Sequence, residues 1–72
     1  MKGEELIRKI RSLGIERGVP VRFDSIRGKG SQGRLYYGDR FTTVKDRKEE
    51  LGRGLLAAML KQLGLTHDDI AG

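Results

Sequence analysis

Arg34-Leu35-Tyr36-Tyr37-Gly38-Asp39-Arg40-Phe41-Thr42-Thr43-Val44-Lys45 is the stretch that decides the fold. A Gly-Asp pair between two runs rich in aromatic and β-branched residues is the signal of a two-residue β-hairpin. With Gly38 and Asp39 as the loop, Tyr37 faces Arg40, Tyr36 faces Phe41 and Leu35 faces Thr42. Side chains alternate between the two faces of a strand. One face then carries Leu35, Tyr37, Thr42 and Val44. The other carries Gln32, Arg34, Tyr36, Phe41, Thr43 and Lys45. The first face suits a core, because helices need an apolar surface to cover. The second is open to solvent or a partner, and it holds the cations.

The pattern upstream keeps the period of two. Val19, Val21 and Phe23 alternate with polar residues after the loop Glu16-Arg17-Gly18. Pro20 stands near the start of this strand, where its missing N–H does least harm. Farther out the period becomes helical. Leu6, Ile7, Ile10 and Leu13 mark a helix over residues 4–13, with Glu4 and Glu5 at the positive end of its dipole. Gly14 is placed to stop it, with Ile15 folding back onto Ile10. Leu55, Leu56, Met59, Leu60 and Leu63 form the stripe of a second helix that starts near Gly52. Gly64 stops it, and Leu65 folds back onto Leu60. Thr66 reads as the N-cap of a final short turn, with Asp68 and Asp69 behind it. The expected fold class is α+β in the order α-β-β-β-α: a three-stranded antiparallel sheet with two helices on one face.

Seventy-two residues make one small domain, expected to span residues 1–72. There is no cysteine and a single histidine, His67, so disulfides and thiolate or histidine metal sites are not expected. The longest apolar run is too short to span a membrane. Lys2 leads directly to Glu4 and Glu5 with no signal-peptide core, so the expected location is cytoplasmic. Net charge is +5, and the cations cluster: residues 17–48 hold nine Lys and Arg against three acids. A concentrated basic segment suits a polyanion such as nucleic acid, although a solvated charge run has the same composition.

Gly28-Lys29-Gly30-Ser31-Gln32-Gly33 matches a dinucleotide-binding glycine pattern by letter only. That chemistry needs the glycines to open a helix within a βαβ unit, and here a strand follows. The alternative is a turn whose backbone N–H groups, with Lys29 and Ser31, approach a phosphate; a plain glycine-rich turn is the competing reading. Tyr36 and Phe41, flanked by Arg34 and Lys45, can stack on bases, anchor a partner protein or simply brace the sheet. Lys45-Asp46-Arg47-Lys48 and Gly52-Arg53-Gly54 put cations ahead of the second helix, where a phosphate could bind, but Glu49 and Glu50 oppose it. His67 reads as an exposed helix-start residue.

Taken together, Glu5-Leu6-Ile7, the Gly30-Ser31 loop, the hairpin with Thr43-Val44 and the block Leu60-Lys61-Gln62-Leu63-Gly64-Leu65 resemble the HicA family of toxin ribonucleases. The resemblance covers about residues 3 to 65. It implies a double-stranded-RNA-binding-like fold and a metal-independent endoribonuclease acting on mRNA, the toxin of a type II toxin–antitoxin pair. It also implies a HicB-type antitoxin covering the active surface and no small-molecule cofactor. The candidate site residues, read from the turn and the outer sheet face, are Lys29, Ser31, Arg34, Tyr36 and Lys45 for RNA, and Tyr36, Phe41 and Arg34 for the partner. The chain departs from the family at Gln32, where the family's Gly-Ser-His motif places its catalytic histidine. Glutamine donates and accepts hydrogen bonds but exchanges no proton at useful pH, so cleavage is expected to be disabled. The alternatives are a non-catalytic double-stranded-RNA-binding module and a basic protein-interaction domain.

Overall fold

In the computed structural model, which describes every residue except Lys29, Ser31 and Gly72, the order is α1 (Gly3–Arg17), β1 (Val21–Ser25), β2 (Gly33–Tyr37), β3 (Arg40–Val44), α2 (Arg53–Gln62) and α3 (His67–Ile70). The strands form one antiparallel sheet in the order β1-β2-β3. The hairpin pairs Tyr37 with Arg40, Tyr36 with Phe41 and Leu35 with Thr42, the register its two-residue loop dictates. The helices cover one face of the sheet, α1 over β1 and β2, α2 over β3, while α3 lies against α1. Among the described residues no helix is long and apolar enough to cross a membrane.

The core lies between the helices and the inward sheet face. Leu6, Ile7, Ile10 and Leu13 of α1 meet Leu35 and Val44 of the sheet, Leu56, Met59 and Leu60 of α2, and Ile70 of α3. Burying one such side chain contributes about 1.5–3 kcal/mol. Thr42 is the buried polar residue on this face, and its hydroxyl donates to the Gln62 side-chain oxygen, so that hydroxyl is not stranded. Tyr37 and Phe23 are half-buried at the margin, and Phe23 lies over Gly33, where a Cβ would meet its ring at 2.5 Å.

Two expectations need correction. Helix α1 does not stop at Gly14. It runs on to Arg17, and Gly18 takes the left-handed conformation with φ of 69°. Gly14 is instead a contact residue: a Cβ there would come within 2.3 Å of Val21 Cγ2 and 2.6 Å of the Val19 carbonyl oxygen. Ile15 therefore does not fold back onto Ile10 and is 85% exposed. Val19 gives its N–H to the Gly14 carbonyl at 2.8 Å, which closes the helix and delays the strand to Val21. The second correction is Leu55, which is 51% exposed rather than part of the α2 stripe. It lies in the first turn of α2, and the stripe that faces the sheet begins at Leu56.

The second helix ends as expected. Gly64 has φ of 75°, its N–H bonds to the Lys61 carbonyl, and the Leu65 N–H reaches the Leu60 carbonyl at 2.8 Å. Gly52 is the N-cap of α2. Thr66 caps α3 with a reciprocal pair of bonds to Asp69.

Candidate nucleic-acid interface

The face of the sheet turned away from the helices is built by alternation. Arg34 and Tyr36 come from β2, Phe41 and Thr43 from β3, and Arg22 and Asp24 from β1, where the register sets Arg22 opposite Tyr36 and Asp24 opposite Arg34. Lys45 follows β3 with the same parity and is exposed.

Cations and rings alternate on this face. The Arg22 guanidinium lies 4.8 Å from the Tyr36 ring centroid, the Tyr36 and Phe41 centroids are 5.6 Å apart, and the Arg34 guanidinium lies 5.2 Å from the Phe41 centroid. An arginine over an aromatic ring gains a cation–π attraction and keeps its N–H fork free at the rim. Phe41 is 47% exposed, so the ladder is not capped by the chain itself. Asp24 is the acid on this face, and its carboxylate lies 3.5 Å from Arg22. Two shallow depressions flank the ladder, one lined by Pro20, Arg22, Tyr36 and Gly38, the other by Asp39, Arg40, Phe41, Thr43 and Gln62.

Gln32 sits at one end of this surface. It precedes β2 by one residue, shares the parity of Arg34 and Tyr36, and is half-buried. Its carbonyl accepts from the Ile26 N–H at 2.9 Å, which extends the β1–β2 pairing by one step. Gly28 and Gly30 both have positive φ, 76° and 62°, the backbone that favours glycine. Lys29 and Ser31 lie outside the described residues.

The structure thus brings Gln32, Arg34, Tyr36, Phe41 and Lys45 onto one side of one sheet. The reading from sequence missed Arg22. Its signal was the alternation of Val21 and Phe23, but the β1–β2 register depends on the loop 26–32, which has no two-residue turn to set it. The cations ahead of α2 are arranged differently from the expectation. The Arg47 guanidinium lies 5.3 Å from the Phe23 ring centroid, and the Arg47 carbonyl accepts from the Glu4 N–H at 2.7 Å. The Glu49 carbonyl accepts from Gly3 N–H in the same way. This segment therefore satisfies the orphan donors at the start of α1.

His67 is exposed at the start of α3, which packs on α1 and not on the open face of the sheet. Arg17 of α1 donates to Asp69 at 2.6 Å. That bond, with the Thr66 backbone N–H second to it, holds the Asp69 carboxyl below its ordinary value. In return Asp69, and after it the Tyr37 hydroxyl, binds the Arg17 proton more firmly. Among the described residues no group of His, Asp and Glu is arranged to hold a metal ion. Comparison of the chain with protein-family models, with curated proteins and with solved structures returned no match.

Proposed function

We propose that this chain is an RNA-binding protein of the HicA type: an mRNA endoribonuclease scaffold, working in the cytoplasm, whose acid–base position is occupied by Gln32. The observation that carries the reading is the open sheet face, where Arg22 and Arg34 lie on Tyr36 and Phe41 with Gln32 at the end of the same surface. Guanidinium groups held this way can meet phosphates with their free N–H groups, and a ring exposed beside them can take a base.

Cleaving RNA through its own 2′-hydroxyl needs one group to take the 2′-OH proton and one to give a proton to the departing 5′-oxygen. The 2′-oxygen attacks the adjacent phosphorus, the P–O5′ bond breaks, and a 2′,3′-cyclic phosphate remains. Imidazole does this near neutral pH; the amide of Gln32 can hold the phosphate or the hydroxyl but moves no proton. The chain as it stands then binds without turning over. A HicB-type antitoxin would use the same face, with Tyr36 and Phe41 as anchors and acidic residues against Arg34, because a standard interface takes about 800 Å² from each partner. RNA and antitoxin would therefore exclude one another.

The test is Gln32→His. It is expected to restore growth arrest and RNA cleavage with cyclic phosphate ends, raising the rate by about 10²–10⁴. In the unaltered chain, Ala at Arg22, Arg34 and Lys45 together should weaken RNA binding and lower the salt slope by about 2–3. A Gln32→His protein that folds and binds RNA but cleaves nothing, with or without added divalent metal, would replace this reading by that of a non-catalytic RNA-binding module.

A further inference from the structure

The sheet has two open edges, and the one at β1 carries a sequence that is complementary to itself. Which backbone groups face that edge follows from two bonds. Gly38 donates to the Pro20 carbonyl and Ile26 donates to the Gln32 carbonyl, both at 2.9 Å. These pairs bracket β1 in the register that sets Val21 against Tyr37 and Ser25 against Gly33. Backbone groups alternate between the two sides of a strand, so Arg22 and Asp24 bond toward β2, while Val21, Phe23 and Ser25 point their N–H and C=O groups outward. Among the described residues, no loop, turn or cap hydrogen bond reaches those outward groups.

Place a second copy of β1 against this edge, antiparallel and centred on Phe23. Phe23 then meets Phe23 of the other copy, Val21 meets Ser25, and Arg22 meets Asp24. All three outward residues fall at hydrogen-bonded positions, so every free N–H and C=O of both strands finds a partner. Arg22 and Asp24 fall at the non-hydrogen-bonded positions, where side chains approach most closely. Both are exposed on the open sheet face, and the pairing sets each cation against the other copy's acid. Shifting the strand by two residues either way breaks this match and leaves edge groups unpaired. An edge that carried like charges at these positions would repel its copy, which is the usual protection of an exposed strand. This edge does the opposite.

A second observation lies at the Val21 end. Ile15, 85% exposed, lines a groove with Arg11, Val19, Pro20 and Val21 beside the start of β1. A second groove, lined by Glu4, Ile7, Arg8, Arg11, Phe23 and Arg47, lies farther along the same strand. The two-fold about Phe23 turns this second groove of one copy toward the Ile15 end of the other and adds cover for the isoleucine.

We propose that two copies of this chain associate through β1 into a continuous six-stranded antiparallel sheet, with Arg22 and Asp24 of each copy paired across the seam. The proposal rests on edge geometry and charge and not on what the open face binds. The seam is only five residues long in each copy, so the dimer is weak, with dissociation in roughly the 10–1000 µM range.

The experiment is sedimentation equilibrium on nucleic-acid-free protein from about 10 µM to about 1 mM. The unaltered chain should pass from monomer to dimer across that range. Asp24→Arg, which puts cations at all four seam positions, should hold it monomeric. Adding Arg22→Asp to that variant reverses both members of each pair and should return the dimer. Ser25→Pro removes an outward N–H without touching the β2 ladder, and should weaken association at least about tenfold while the circular dichroism spectrum stays that of the unaltered chain. A chain that remains monomeric at the top concentration overturns the proposal. So does a dimer that survives both Asp24→Arg and Ser25→Pro, which would place the contact elsewhere.

Discussion

Leu13-Gly14-Ile15 and Leu63-Gly64-Leu65 look alike in the sequence and behave oppositely in the structure. Each is an apolar–glycine–apolar triplet that follows an amphipathic stripe. At the second, glycine ends the helix, with φ of 75°, and Leu65 is buried. At the first, glycine lies inside the helix, the chain turns four residues later at Gly18, and Ile15 faces solvent. The difference comes from tertiary contact. Gly14 is where α1 passes over the start of β1, and its missing side chain is what lets Val21 and the Val19 carbonyl come so near. Glycine is chosen at 64 for its backbone freedom and at 14 for its lack of volume.

That contrast can be broken most severely at the residues that follow the glycines. Leu65→Ala should cost about 2–5 kcal/mol in urea unfolding, since a core side chain is lost and leaves a cavity. Ile15→Ala, measured at low micromolar concentration, should stay within about 0.5 kcal/mol of the unaltered chain. Equal losses would mean that Ile15 is packed in solution.

The glycines come next. Gly14→Ala should destabilise by about 1–3 kcal/mol, because the added methyl overlaps Val21 and a backbone oxygen that has little room to yield. Gly64→Ala should cost about 1–2 kcal/mol for the left-handed backbone, with the Arg40 side chain, at 3.1 Å from the new Cβ, able to move aside. Gly18→Ala meets nothing within 4 Å and should pay the backbone cost alone, about 1 kcal/mol. Thermal melts of the three variants should therefore rank Gly14 lowest. A Gly14→Ala variant as stable as the parent would restore the reading in which α1 stops there.

The smallest effect is a pH dependence. Extending α1 to Arg17 brings its guanidinium to Asp69, whose carboxyl is held below its ordinary value of 3.8. A carboxyl lowered by folding stabilises the native state above that ordinary value, and the contribution fades as pH falls through its lower native value. Asp69→Asn should thus be less stable than the parent from pH 7 down to about 5. The gap should narrow below about pH 4 and close in stronger acid. A gap that stays constant across acid titration of the melting temperature would show that the contact works by shape and not by charge.

What was legible in the sequence follows the range of the interactions involved. The hairpin register was, because Gly38-Asp39 allows only two residues between the strands. The end of α2 was, because its capping bonds lie within five residues of one another. The true end of α1 was not, since it depends on what Gly14 meets in another element. Arg22 escaped for a related reason: its place on the open face rests on the pairing of β1 with β2, whose register no short turn dictates, and so did Arg47, which is taken up by Phe23 and α1. Gln32 was placed on the outer face by the alternation along β2, and the structure keeps it beside Arg34 and Tyr36.

The arginine–aromatic ladder on the open face bears on what the proposed RNA binding would cost. A free arginine side chain gives up about 2 kcal/mol of rotamer entropy when it is fixed on a ligand. Arg22 and Arg34 already rest on Tyr36 and Phe41, and those rings are held by strands whose register a tight turn dictates. Much of their freedom is therefore surrendered when the chain folds, before any anion arrives. A surface of this kind trades some stability of the isolated protein for a preorganised grip, and it should distinguish ligands by the spacing of their charges more sharply than lysines on flexible stems could.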